Sequence, residues 1–396
     1  MIHLPKYISP EAFKRIQDFE EEFFLIDTRP EADFNDWHVK DAINLPFGSS
    51  DDTTEEDISK FSTREGIKYD DLIVTICAKG VTSFKFAKEL EDMGYGEVVT
   101  VEGGMEAWSG VYDVVPIATS GEDVVIIQMQ RRAKGCLGYI VGSKRSGVAA
   151  AIDVSRYTDK FVEAASKHGL KIAQVFDTHV HADHISGGRS MAKRLNVPYH
   201  LGNKAAERSP EFDFSPLANN QVVKVGEIPV KALHTPGHTT EMTSYLIDGE
   251  AVITGDSLFL DSIGRTELEF NAEDAKTGAS LQYESLSNKL LSLPERVKVL
   301  PSHFTVKEDG STVNAIPGTP LFSTIGSVRE SNEALQMDED SFVEYMFDNL
   351  PSKPPNYEDI IALNLGRREL AGDGEAIELE LGPNRCATSE EPMLAE

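Results

Sequence analysis

The run Thr178–His184, THVHADH, places three imidazoles and one carboxylate within six consecutive positions, in a chain with 10 histidines among 396 residues. His179 and His181 are two apart on an extended segment, so both side chains project to the same side. Asp183 and His184 follow at the turn into ISGGRSMAKRL, which has helical spacing. Three later apolar runs stop in the same way: IPVKALHTPGH at His234 and His238, AVITGD at Asp256, and VKVLPSH at His303. Imidazole nitrogens and carboxylate oxygens are the usual ligands of first-row metal ions, and a metal is the simple reason to gather so many. His234 taken alone fits a surface or capping residue as well as a ligand.

A second chemistry starts at Cys77. The strand-like LIVTIC ends in this cysteine, a tight AKGVT loop follows, and SFKFAKELEDMG has helical spacing. Loop N–H groups and a helix N-terminus then face the sulfur and stabilise a thiolate, and Lys79 adds positive charge. Such a thiolate can attack the outer sulfur of a thiosulfonate or persulfide and hold it as a cysteine persulfide. The alternative is an inert, packed cysteine. Cys136 and Cys386 complete an odd set of 3 far-apart cysteines, which gives no disulfide framework and fits a reducing compartment.

These groups need elements to position them. FFLID (23–27), LIVTIC (72–77) and EVVTVEGG (97–104) read as buried strands alternating with helices, which suggests a parallel two-sided sheet. GSSDDTTEEDISK (48–60) reads as a surface loop or short helix. Turn formers in PIATSGED (116–123) mark a change to a β-rich section, so a first domain is expected over 1–118 and a second over 122–366. SFVEYMFDNL (341–350) and PPNYEDIIALNLG (354–366) read as helices with no evident role within one domain, which suggests a homo-oligomer. Residues 372–396 are acidic and poor in aromatics, and are expected to form a disordered tail.

The formal net charge of −28 repels phosphate backbones and anionic membranes, so nucleic-acid binding is not expected. No apolar run reaches the about 18 residues of a membrane helix. The first residues carry charge throughout and lack a signal core, which points to the cytoplasm.

His179, His181, Asp183 and His184, with His238, Asp256 and His303 in order, resemble the metallo-β-lactamase superfamily over about 123–312. That resemblance implies an αββα sandwich with the site at one edge of two packed sheets. RRAKGCLGYIVGSKRSGVAAAID, GDSLFLDSIGRTEL and STIGSVRESNEAL resemble its persulfide dioxygenase branch, which implies one Fe(II) per chain on His179, His238 and Asp256. Two histidines and a carboxylate leave open positions for substrate sulfur and O2. His181, Asp183, His184 and His303 would then orient ligands or bound water, or hold a second metal. Arg265 matches a position expected near the thiol carrier's carboxylate. The same ligands occur in dizinc hydroxyacylglutathione hydrolases, which cleave thioesters. PSH at 301–303 replaces the PGH or PAH of several relatives but keeps His303. LIDTRPEADFNDWHVKDAINLPF, CAKGVTS and VEGGMEAW resemble the rhodanese domain over about 5–115. This implies Cys77 as sulfur acceptor, with Lys79 near substrate and Asp27 and Arg29 buttressing the loop. Ala78 and Thr82 stand where thiosulfate-preferring rhodaneses often carry arginines, which favours a low-molecular-weight persulfide. The expectation is therefore an α/β chain that joins a rhodanese domain to a persulfide dioxygenase acting on a small thiol persulfide and O2. A dizinc thioesterase and a non-catalytic sulfur-carrier or sensor module are the alternatives. By family position Cys136 lies near the metal, or it is a plain packed strand cysteine; Cys386 receives no role.

Overall fold

The computed structural model describes residues 6–19, 22–48, 53–268, 275–350 and 353–387. The first unit has five parallel strands, β1 (Lys6–Ile8), β2 (Phe24–Asp27), β3 (Ala42–Asn44), β4 (Leu72–Ile76) and β5 (Glu97–Val101), in the order β1-β5-β4-β2-β3. Its helices are α1 (Pro10–Asp18), α2 (Glu31–Asp36), α3 (Glu55–Glu65), α4 (Thr82–Asp92) and α5 (Gly104–Trp108). Alternate residues of the strands serve opposite faces. Leu25, Val74 and Ile76 pack with Phe13 and Trp108, whereas Ile26 and Ile73 pack with Ile58, Phe61, Phe86 and Leu90. Burial on both faces explains why these strands read as continuous apolar runs. Within the acidic 48–60 stretch, Thr54 and Asp57 form a capping box that starts α3; residues 49–52 lie outside the described residues.

The second unit is a sandwich of two sheets. One runs β12-β11-β10-β9-β8-β7-β6, built from β6 (Tyr112–Ile117), β7 (Val124–Arg131), β8 (Cys136–Ser143), β9 (Val148–Ile152), β10 (Lys171–Phe176), β11 (Tyr199–Gly202) and β12 (Ser215–Leu217). The other runs in chain order through β13 (Val222–Val225), β14 (Ile228–His234), β15 (Thr243–Ile247), β16 (Ala251–Gly255), β17 (Lys298–Pro301) and β18 (Ser323–Thr324). Ile126, Val141, Ala150 and Ile152 of the first sheet meet Val230, Tyr245, Ile253 and Leu300 of the second in one shared core. The intervening residues Ile127, Ile140 and Ala149 face outward onto α6 (Thr158–Lys167) and α7 (Gly188–Leu195). Val252 and Val299 face α8 (Ala275–Ser285), α9 (Ile325–Ser331) and α10 (Glu339–Asp348) through Ala279, Val328 and Phe342. The layers are therefore helix, sheet, sheet, helix, as the resemblance implied. Each fully buried aliphatic side chain contributes about 1.5–3 kcal/mol, against about 1 kcal/mol net for a hydrogen bond. Sheet packing thus fixes the strand ends, and the polar site is assembled on a frame that is already set.

Two boundaries differ from the expectation. β6 pairs along its whole length with β7, from Tyr112↔Arg131 to Ile117↔Ile126. The chain therefore changes sheets between α5 and β6, ahead of the turn formers at 116–123, which make only a hairpin. At the other end, the stretch read as a disordered tail is structured up to residue 387. α11 (Tyr357–Asn364) and α12 (Asp373–Glu380) pack on the second unit through Leu363, Ala376 and Ile185, and Cys386 is fully buried. The helices that suggested an oligomer therefore serve this chain's own fold; residues 388–396 lie outside the described residues.

Ion pairs join the two units. Lys14 and Arg132 both reach Asp113, at 2.5 and 2.9 Å, and Arg132 also reaches Asp18 at 2.7 Å. A cleft of about 1290 Å³ beside this network is lined by Trp37, Asp113, Arg132 and Thr319, and includes neither Cys77 nor the histidine run. Among the described residues no helix is long and apolar enough to cross a membrane.

Candidate metal centre and sulfur-transfer loop

Every member of the histidine and carboxylate set leaves a strand at one edge of the sandwich. The THVHADH run follows β10, His238 follows β14, Asp256 follows β16 directly, and His303 follows β17. Gly255 makes the approach of Asp256 feasible: its φ is +57°, and a Cβ there would lie 2.0 Å from Met242 and 2.9 Å from Thr178.

Four groups of ligand atoms result among the described residues, each with its atoms within 4.8 Å of one another: His179, His238 and Asp256; Cys136, Asp183, His184 and His303; Asp256, His303 and Cys386; and Asp153, Asp177 and His181. In the first, Asp256 Oδ2 lies 3.4 Å from His238 Nε2 and 3.9 Å from His179 Nε2. The other nitrogen of each ring is tied back. His179 Nδ1 lies 2.9 Å from Thr178 Oγ1, and His238 Nδ1–H donates to the Arg265 carbonyl at 2.7 Å. Asp256 Oδ1 lies 2.9 Å from His303 Nδ1. His179 Nε2 and Asp256 Oδ2 are buried without a hydrogen-bond partner. Such atoms are rare in folded proteins, and a cation between them satisfies both. Burial, reinforced by His181, pushes the His179 imidazolium well below its usual range, so the ring is neutral and its lone pair is available. Burial alone would raise the Asp256 carboxyl, but the His303 and His238 imidazoles outweigh it and lower it.

The remaining groups hold one another. Asp183 accepts from His184 Nδ1 and His303 Nε2, both at 3.0 Å, and from Cys136 Sγ at 3.2 Å. Cys136 is thus beside the cluster rather than a plain strand cysteine. His181 Nε2 turns to Asp153 at 3.3 Å, and Asp153 also accepts from the Thr178 N–H and Ser302 Oγ. Among the described residues His234 joins no ligand group; its Nε2 donates to the Thr240 carbonyl at 3.0 Å. Arg265 also departs from its expected role. It is 1% exposed and its guanidinium is engaged by Glu267 and the Arg385 carbonyl, so it meets the site through its own carbonyl on His238.

Asn364 of α11 was missed from sequence. Its amide donates to the carbonyls of His181 and His184 at 2.8 and 2.9 Å and accepts from the Ser186 N–H at 2.9 Å. Only the folded chain brings it to a loop 178 residues away. Asn364→Ala is expected to cost about 1–3 kcal/mol of stability and about tenfold in metal affinity, measured by thermal unfolding and chelator competition.

In the first unit, Cys77 caps β4 and is 3% exposed. Gly104 lets α5 close on the loop: its φ is +57°, and a Cβ would stand 2.0 Å from the Cys77 carbonyl. Met105 N–H donates to that carbonyl at 2.8 Å. Ser83 Oγ lies 3.3 Å from the sulfur and accepts in turn from Thr100 Oγ1 at 2.9 Å. Burial would raise the thiol, but bonds from the Ser83 and Thr82 side chains and from the Ser83 and Lys79 N–H groups outweigh it and lower it. Lys79 is mostly exposed and lies 3.4 Å from Glu106. Asp27 and Arg29 form a buried pair at 2.7 Å beside the end of β4, and Arg29 also donates to the Trp37 carbonyl at 2.6 Å.

Alkylation of Cys77 is expected to rise with pH through a midpoint below the about 8.5 of free cysteine. Ser83→Ala removes one bond to the thiolate and should move that midpoint up. Peptide mass spectrometry, which separates Cys77 from Cys136 and Cys386, gives the rates.

The comparisons with known proteins agree with this architecture. Residues 9–110 match the rhodanese-like domain family and residues 147–303 the metallo-beta-lactamase superfamily. The chain thus joins a rhodanese-like domain to a metallo-beta-lactamase domain, a fold that binds metal ions. It is 26% identical over 245 residues to the mitochondrial persulfide dioxygenase ETHE1 of Mus musculus, covering 61% of this chain and 88% of that protein. It is 30% identical over 167 residues to a hydroxyacylglutathione hydrolase of Rhodopseudomonas palustris, covering 42% of this chain and 61% of that one. The chain therefore spans about three fifths of the length of that hydrolase. A solved metallo-beta-lactamase from Staphylococcus aureus superposes with a TM-score of 0.57 at 25% identity, covering 63% of this chain and 75% of that chain.

Proposed function

We propose that the chain is a persulfide dioxygenase fused to a rhodanese-type sulfurtransferase, acting on a low-molecular-weight thiol persulfide such as glutathione persulfide. One observation carries the reading: a cysteine loop suited to sulfane sulfur shares the chain with a buried group of two histidines and one carboxylate. Iron(II) on His179, His238 and Asp256 would supply the redox chemistry with dioxygen. One persulfide, one dioxygen and one water then give one thiol, one sulfite and two protons.

The chain's own residues supply positioning. Thr178 and the Arg265 carbonyl orient the rings of His179 and His238, while His303 holds the far oxygen of Asp256. Asp183 accepts from His184 and His303, and so braces the His303 ring that holds Asp256. Cys77 carries sulfane sulfur to or from the same thiol pool, and fusion raises the effective concentration of one step for the other.

A dizinc thioesterase is the second reading. It is favoured by His184 Nε2, which is buried without a partner beside Cys136, Asp183 and His303. Reconstitution separates the two. Metal-free protein reloaded with iron(II) should release sulfite from glutathione persulfide in air and none under nitrogen. Hydrolysis of S-lactoylglutathione by zinc-loaded protein, with no sulfite from the iron form, contradicts the dioxygenase. A non-catalytic sulfur carrier is left if neither form turns over while Cys77 still becomes persulfidated.

A further inference from the structure

We infer that Arg131, Arg156 and Lys134 form a receptor for a substrate carboxylate, and that Glu380 of the C-terminal helix is its tethered occupant. The inference rests on the reading above insofar as the substrate is a carboxylate-bearing thiol.

The chain carries a net charge of −28, yet two guanidinium groups converge here on a single carboxylate, with the Lys134 ammonium on the backbone beside it. Glu380 is 1% exposed, and its Oε2 lies 3.1 Å from Arg131 Nη2 and 2.8 Å from Arg156 Nε. Its Oε1 accepts from the Ile185 N–H at 2.6 Å, one residue past His184. Arg131 Nη1 is buried and has no hydrogen-bond partner, so one carboxylate does not saturate the cluster. Lys134 Nζ donates to the backbone carbonyls of Glu380 and Gly382, at 3.1 and 3.3 Å, rather than to an anion. Paired guanidinium groups are the usual protein answer to a carboxylate. Arg265, expected from the sequence to bind the thiol carrier, is already engaged by Glu267.

The strap beyond Glu380 completes the argument. Asn384 bonds the Lys134 carbonyl at 2.7 Å, and Arg265 N–H donates to the Cys386 carbonyl at 3.0 Å. The Cys386 thiol then reaches the metal centre, in a group with Asp256 and His303 whose ligand atoms all lie within 4.8 Å of one another. The strap thus sets a carboxylate in the basic cluster and a thiol at the metal centre, the two groups that a small acidic thiol would bring. A substrate that takes both places must lift residues 381–387.

Calorimetry with S-methylglutathione on the metal-loaded protein tests this. The probe has carboxylates but no thiol, so the result is independent of whether the centre oxidises persulfides or cleaves thioesters. Glu380→Gln should tighten binding about tenfold, the factor for a strap closed about nine-tenths of the time. Adding Arg156→Met should erase the gain, and S-methylcysteamine, which has no carboxylate, should show none. Equal affinity in the parent and Glu380→Gln, or equal gains for both probes, overturns the proposal. Should Glu380→Gln fail to fold, hydrogen exchange on the parent decides. Saturating S-methylglutathione should speed exchange of the 381–387 amides, and unchanged exchange overturns the proposal.

Discussion

Asp256→Ala is expected to lower persulfide oxidation by more than about a hundredfold and to release the metal. Among the described residues Asp256 is the one carboxylate facing both His179 and His238, and it is fully buried, so no nearby water replaces it well. Its loss also leaves His303 without one of its two carboxylate partners. Breaking a buried charge pair costs about 3–5 kcal/mol, so the variant should melt earlier as well. Asp256→Asn keeps the shape and isolates the charge: its stability should fall less while metal content falls as far. Metal analysis alongside oxygen uptake checks both variants.

Cys77→Ser is expected to abolish sulfur transfer by at least about a thousandfold, as loss of a covalent nucleophile does. A serine hydroxyl is not ionised near neutral pH and gains little from the Ser83 and Thr82 bonds that lower the thiol. Oxygen uptake with preformed persulfide should persist, because the proposed metal ligands belong to the other domain's sheets. Transfer from a persulfide to cyanide, read as thiocyanate, measures the first effect, and an oxygen trace the second. Simultaneous loss of both activities would mean that the two domains share one sulfur site.

What could be read from the sequence follows from how each feature is encoded. Buried parallel strands such as LIVTIC are continuous apolar runs, and the candidate ligands sit where apolar runs stop, so the edge of the sandwich is visible without coordinates. The turn formers at 116–123 close a hairpin rather than separate the two units, since turn formers mark hairpins and linkers alike; β6 has the pattern of a strand but its partner is chosen only in the fold. The tail was misread for a related reason. Residues 372–387 are acidic and poor in aromatics, but Glu380 is held by distant Arg131 and Arg156 rather than by local pattern. Asn364 and Cys386 reach the centre in the same way, through contacts that spacing cannot announce. Arg265 was recognisable as a site residue, but its side chain is turned to Glu267 and only its carbonyl serves His238.

The proposed dioxygenase requires that His179, His238 and Asp256 hold a single redox-active ion able to engage dioxygen. An oxygen-electrode trace with iron-loaded protein and glutathione persulfide tests it most directly. Uptake of one dioxygen per persulfide consumed is expected, with one iron per chain. No uptake from iron-replete protein, together with two zinc ions per chain and brisk S-lactoylglutathione cleavage, would contradict it.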